Sequence, residues 1–192
     1  MSRYLGLDPA TRVFGVCGIE VNEGRLDLYM DYLIKAPEHF VTTQRNQYMS
    51  HMTAALISLD KPDMVISEAP WGGGGWSTQA FKELIGSIKS SYWDTIIWQG
   101  VSEARRAVLG DGYGGAKKRV TAEWLLQYDW NISSKRRMQE LFDKASKDTD
   151  DGYDELDAIL HVLCYLVANK LIEPKHKEPK KPKKVKKIKE PV

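Results

Sequence analysis

Four acidic residues stand where a carboxylate could do chemistry: Asp8, Glu68, Asp154 and Asp157. Asp8 ends the apolar run Tyr4-Leu5-Gly6-Leu7, and Glu68 ends Met64-Val65-Ile66-Ser67. Asp154 and Asp157 open a long apolar stretch near the C-terminus, three positions apart and hence neighbours on one helix face. Singly, each has an ordinary explanation: Asp-Pro is common in turns, and acids favour the first turn of a helix because of its dipole. Together they describe a site if the two strands are neighbours and the helix packs across them. Gathered carboxylates repel, and hard divalent cations are the usual remedy. Oxygen-only ligands suit Mg²⁺, with Mn²⁺ able to replace it. Two such ions can activate a water and stabilise a leaving 3′-oxygen, which is phosphodiester hydrolysis.

The neighbours of these acids fit a polyanionic substrate. Ala69-Pro70-Trp71 is followed by four glycines, Gly72 to Gly75, which allow close approach of a backbone to a ligand. Trp71 and Trp76 are candidates for stacking on bases or wedging into a helix junction, with core packing as the alternative for at least one of them. Arg105, Arg106, Lys117, Lys118 and Arg119 bracket the glycine-rich stretch Gly110 to Gly115; they offer a cation to the scissile phosphate or form a solvated basic helix start. Arg136 and Arg137 carry the same two readings. His161 lies one turn beyond Asp157 and is either a partner of the site or a satisfied histidine elsewhere.

The elements that must position these residues follow from hydrophobic period. Strands are expected over residues 3–8, 14–20 and 26–33, with Asn22-Glu23-Gly24 as a turn, giving a three-stranded antiparallel meander. Leu26, Leu28, Met30 and Tyr32 alternate as on a half-exposed strand. A helix is expected over 38–59, with His51, Ala55 and Leu59 among its turns and Pro62 closing it. Further strands are expected over 64–67 and 94–98, and helices over 77–89, 117–128, 134–145 and 154–171. The sum is an α/β fold: a mixed sheet of about five strands, the first three antiparallel, with helices on both faces.

The chain has 192 residues, 42% hydrophobic and 28% charged, ordinary values for one soluble domain with a real core. Its net charge of +2 conceals a split. Nine lysines and two glutamates lie between Pro174 and Val192, so the body is net acidic. We therefore divide the chain into a domain over 1–172 and a Lys/Pro-rich tail over 173–192. That tail cannot build a core and is expected to be disordered, serving as a solubilising segment or as sequence-independent attraction to a polyanion. Cys17 and Cys164 match no metal or redox spacing, so a reducing cytoplasmic setting is expected. No signal peptide is recognised. The most apolar stretch, Ala158 to Ile172, is too short to span a bilayer and contains His161 and Asn169.

Taken in order, these residues resemble the RuvC family of Holliday-junction resolvases within the RNase H-like superfamily. Leu5-Gly6-Leu7-Asp8-Pro9-Ala10-Thr11-Arg12-Val13-Phe14-Gly15 is similar to that family's opening strand, catalytic Asp and turn. Val65-Ile66-Ser67-Glu68-Ala69-Pro70-Trp71 is similar to its second motif, with Trp71 at the place of an aromatic residue near the junction centre. Asp154-Glu155-Leu156-Asp157-Ala158 is similar to the motif that opens its last helix. Arg105 and Lys117 match two supporting family lysines, the first exchanged for Arg. The resemblance covers residues 3–170. It implies a homodimer that nicks four-way DNA junctions in pairs and leaves 5′-phosphates, with Asp8, Glu68, Asp154 and Asp157 holding two Mg²⁺ ions and Lys117 assisting catalysis. Trp71, Arg105, Lys117, Lys118 and Arg119 would contact DNA. The segment Tyr128 to Gly152, the four-glycine stretch and the tail depart from the family, and such a compact variant suggests a phage-type enzyme, in a bacterial or phage-infected host cytoplasm. Three alternatives stay open: an RNase H-like nuclease for flaps, branched DNA or RNA–DNA hybrids; an actin-like ATP-binding kinase fragment, suggested by Leu5 to Thr11; and a non-catalytic DNA-binding module.

Overall fold

The computed structural model describes residues 1–10, 12–69, 82–88, 96–145 and 153–175. Thr11, the Trp71 to Trp76 segment, the expected strand start at Asp94, the acidic linker before Tyr153 and residues 176–192 of the tail lie outside the described residues. Three strands come first, β1 (Ser2–Asp8), β2 (Val13–Asn22) and β3 (Arg25–Lys35). Helix α1 (Thr42–Asp60) leads to β4 (Met64–Glu68), and a helical segment over 82–88 precedes β5 (Ile96–Gln99). Four helices complete the chain: α2 (Val101–Leu109), α3 (Lys118–Leu125), α4 (Ile132–Ala145) and α5 (Asp154–Ala168).

The sheet order is β3-β2-β1-β4-β5. The first three strands pair antiparallel, while β4 runs parallel to β1 and β5 parallel to β4. The expected mixed sheet is therefore present, with Asp8 and Glu68 ending adjacent parallel strands. Side chains alternate across the sheet. Leu5, Leu7, Phe14, Val16 and Val65 bury one face with Met49 and Leu56 of α1 and Leu84 and Ile88 of the 82–88 segment. Tyr4, Cys17, Ile19 and Ile66 bury the other face under α5, which is itself enclosed by α2, α3 and α4. A helix apolar on nearly all sides, as α5 is from Leu156 to Leu166, belongs inside a layer of other helices.

Two expectations change. The alternation in β3 does not hold to one face: Leu26 and Leu28 join the α5 core, whereas Met30, Tyr32 and Ile34 pack towards α1. The register shifts between Gly18 and Ile19, which pair with Met30 and Leu28 and leave Tyr29 as the extra residue of a bulge. Tyr29 lies over Gly18, where a Cβ would collide with its ring, and donates to Asp60 Oδ2 at 2.7 Å. The second change is α2, a nine-residue helix the sequence analysis leaves unassigned, although Ala104, Val108 and Leu109 supply a buried face. On α1 the buried face is Asn46, Met49, Ser50, Thr53 and Leu56, so His51, Ala55 and Leu59 mark its outer side.

Part of the segment that departs from the family has a role in the sheet. Residues 129–131 add a short bridge to β3, through Leu26 N to Asp129 O at 3.0 Å and Asn131 N to Leu26 O at 2.9 Å. Ser134 of α4 accepts from Leu28 N at 2.7 Å and donates to Asp27 at 2.8 Å. The edge of β3 is thereby covered from Leu26 to Leu28, which shortens the template for unwanted strand pairing.

Candidate active site

The site is built by period and by two glycines. Along β1, Tyr4, Gly6 and Asp8 face α5; along β4, Ile66 and Glu68 do the same. Helix α5 can lie close because a Cβ on Gly6 would collide with the Ala158 carbonyl and stand 2.7 Å from Val162. A Cβ on Gly15, the residue paired with Asp8, would collide with the Asp154 carbonyl. These contacts set the first turn of α5 directly over the ends of β1 and β4. Its acids, Asp154, Glu155 and Asp157, sit at the favourable end of the helix dipole.

The carboxylates are brought within electrostatic reach of one another. Asp8, Glu68 and Asp157 are buried and Asp154 is half-buried. Burial pushes the Asp8 carboxyl well above the usual carboxylate range, and Asp157, Glu68 and Asp154 push it further; Asp8 and Glu68 also share a hydrogen bond. Asp157 is raised by burial as well, against the opposing pull of Lys118 and Arg105. The Lys118 ammonium beside Asp157 offsets part of the anionic charge. With Asp8 hydrogen-bonded to Glu68 and Asp157 to Lys118, no three His, Cys, Asp or Glu side chains among the described residues stand at metal-ligating spacing. The donor set nevertheless suits a hard divalent cation: it is all carboxylate, clustered and, apart from half-buried Asp154, buried.

Of the two adjacent lysines, Lys118 is the one that reaches the acids. Lys118 Nζ lies 2.7 Å from Asp157 Oδ2 and 6.0 Å from the centre of the Tyr153 ring. Burial would lower its pKa, but Asp157, Asp8 and Asp154 raise it. Lys117 caps the start of α3 with extended backbone and is exposed. Arg119 is exposed and pairs with Glu123 one turn along its own helix, at 3.4 Å. Arg105 is half-buried, and its charge acts on both Asp157 and His161. Arg137 is held by Asp31 at 2.6 Å and Arg136 by Glu140 at 3.3 Å, both as parts of surface pairs. Trp71 lies outside the described residues.

Sequence reasoning did not single out Glu155, which is buried, with Lys144 of α4 at 3.7 Å. It also missed Gln99, which pairs with Glu68 across the parallel strands and is buried. The signal was available in register: Gln99 ends the strand beside Glu68. A broad groove of about 1460 Å³ lies at the other end of the sheet, around Arg25, Trp130 and Leu171, and none of the four acids lines it.

This sheet order, with acids at the ends of the adjacent parallel strands β1 and β4 and at the head of a helix crossing them, is that of an RNase H-like fold. No family profile matches the sequence, and no curated protein matches it. Among solved structures, the chain is similar to RuvC of Thermus thermophilus, with a TM-score of 0.64 and 14% identity over 88% of this chain and 96% of that one. It is also similar to the yeast mitochondrial Holliday junction resolvase, with a TM-score of 0.59 and 12% identity over 88% and 82%. The fowlpox virus resolvase bound to Holliday junction DNA gives a TM-score of 0.52 and 14% identity over 84% and 98%. The fold is thus RuvC-like across nearly the whole domain. No helix among the described residues is long and apolar enough to cross a membrane.

Proposed function

We propose that this protein is a metal-dependent endonuclease that resolves four-way DNA junctions by paired symmetric nicks leaving 5′-phosphates, a crossover junction endodeoxyribonuclease. The observation that carries the proposal is the convergence of Asp8, Glu68, Asp154 and Asp157 beneath the head of α5. Similarity in fold to resolvases solved with Holliday junction DNA supports the substrate class.

Asp8, Glu68, Asp154 and Asp157 would hold Mg²⁺, or Mn²⁺ in its place, two ions per site, supplying activation of a water and stabilisation of charge at the leaving oxygen. The chain's own residues do the rest. Cationic charge at the site would relieve the repulsion that raises the Asp8 carboxyl and so favour its anionic form. Lys118, already inside the cluster, keeps a positive charge beside the phosphate and holds Asp157 in place. Arg105 adds a second cation from α2. Lys117 and Arg119, both exposed near the start of α3, bind the DNA backbone, and Trp71 stacks at the junction. A two-fold homodimer in the cytoplasm presents two such sites to a substrate of matching symmetry.

The test is a synthetic immobile four-way junction titrated with Mg²⁺ and then Mn²⁺, with products mapped on each strand. Paired nicks at symmetric positions with 5′-phosphates are expected. Cleavage of an RNA–DNA hybrid or a flap in preference to the junction would move the assignment to a different RNase H-like nuclease; ATP turnover without nucleic acid would abandon it.

A further inference from the structure

The ammonium of Lys118 is held from two sides, and only one of them is an acid. Asp157 Oδ2 lies 2.7 Å from Lys118 Nζ, and the same nitrogen stands over the face of the Tyr153 ring, 6.0 Å from its centre. Both partners come from the head of α5, four residues apart. Tyr153 caps the helix, and its carbonyl accepts from Asp157 N at 2.6 Å. That bond closes the first turn and sets ring and carboxylate as neighbours on one helix face. The lysine is the first residue of α3, so the heads of two helices meet at one ammonium. The ring is buried in the core around α5 and is fixed there by packing. The lysine is not: its side chain is 39% exposed, on a flexible stem that water can draw outwards.

We propose that Tyr153 is a positioning residue for Lys118, the face of its ring keeping the ammonium among the acids, where it stands beside the scissile phosphate. This rests on the reading of the site as a nuclease centre. An aromatic face attracts a cation through its quadrupole and carries no net charge. A further carboxylate in that place would add to the anionic charge already concentrated around Asp8. The ring gives a second point of attachment without doing so, and leaves the ammonium's charge available to the phosphate. Asp157 alone would hold the ammonium at one point and let the stem pivot. The separation lies at the outer limit of a cation–π contact, about 6 Å, so the ring's share is a few-fold effect on rate.

The experiment measures single-turnover cleavage of a synthetic four-way junction by the full-length protein in Mg²⁺, at saturating enzyme. Tyr153→Leu is expected to be about fivefold slower, with junction affinity unchanged. Tyr153→Phe keeps the ring and should recover most of the rate. The deciding series replaces Tyr153 with phenylalanine carrying one, two and three ring fluorines, which drain the negative face while keeping the ring's shape. The rate should fall with each fluorine while the melting temperature stays level. A rate that is flat across the series, or that follows the melting temperature, makes the ring mere packing and overturns the proposal. The series also serves if Tyr153→Leu fails to fold. A second readout needs no activity. With lysine ¹³C-labelled at Cε, the Lys118 signal, assigned by its loss in Lys118→Arg, should lie upfield of the other lysines because of the ring current. A Lys118 signal among the others in wild type overturns the contact. Absence of nicking by wild type overturns the nuclease reading and this role with it, whereas nicking indifferent to the ring overturns this role alone.

Discussion

Gly15 and Asp154 meet backbone to backbone: a Cβ on Gly15 would collide with the Asp154 carbonyl and stand 2.9 Å from the Glu155 amide nitrogen. This contact, rather than any side-chain interaction, sets how closely the acids of α5 approach Asp8 on the paired strand. Gly15→Ala must therefore push the head of α5 off the sheet. Overpacking of this kind costs roughly 1–3 kcal/mol, and cleavage should fall further than stability does, because the acids are displaced together. Gly86→Ala is the control, since its added Cβ meets nothing within 4 Å. Urea unfolding and junction cleavage on both variants check this; equal behaviour would mean the close approach is not what builds the site.

Asp8→Asn should abolish nicking, by roughly 100-fold or more, with junction binding retained. It should also change how stability depends on pH. The folded pKa of Asp8 lies well above the ordinary 3.8. A group raised on folding contributes its stability in full below the unfolded pKa and loses it as pH rises through the folded value. In chelator, wild-type stability should therefore decline from about pH 4 upward until Asp8 is ionised. Asp8→Asn removes the titrating group and should flatten its share of that slope, and Mn²⁺ should flatten it in wild type. Denaturant unfolding across this range, with and without Mn²⁺, decides the matter.

Much of this arrangement was legible in the sequence. Asp8 and Glu68 each end an apolar run, and strand period alone places both on one face once β1 and β4 are neighbours. What was not legible depended on local phase. Tyr29 is a good strand former inside an alternating run, so nothing in the pattern marks it as the residue that shifts register. Helix α2 is short, and its buried face of Ala104, Val108 and Leu109 is thin beside the arginines between them. Lys117 and Lys118 are indistinguishable in type, and only the turn at which α3 begins sends one to solvent and the other to Asp157.

That distinction between adjacent lysines is testable. Lys118→Met leaves Asp157 buried without its ammonium and should lower cleavage about 100-fold, the scale seen when a charge-stabilising group is removed. The stability cost should be modest, about 1 kcal/mol, because Lys118 is more than a third exposed and water screens the pair. Lys117→Met should leave the rate of bound-junction cleavage near wild type and weaken only binding. Single-turnover cleavage at saturating enzyme separates the two effects. A larger loss of rate for Lys117→Met than for Lys118→Met would return the role to Lys117.

The tail offers the last prediction. Lys175 is anchored to the domain: its carbonyl accepts from Trp124 Nε1 and its ammonium lies 3.2 Å from Asp129. Beyond it, residues 176–192 carry all but one of the nine lysines after Pro174. Removing them should leave the fold and the nick positions unchanged, since the contacts of Lys175 remain. The effect should fall on affinity and its salt dependence. Each lysine that neutralises a phosphate adds close to one unit to the slope of log K against log salt. The truncated protein should therefore bind a four-way junction more weakly at low salt and show a shallower slope, converging with the full chain at high salt. Binding measured over a salt series tests this. Identical slopes would leave the tail as a solubilising extension that does not engage DNA.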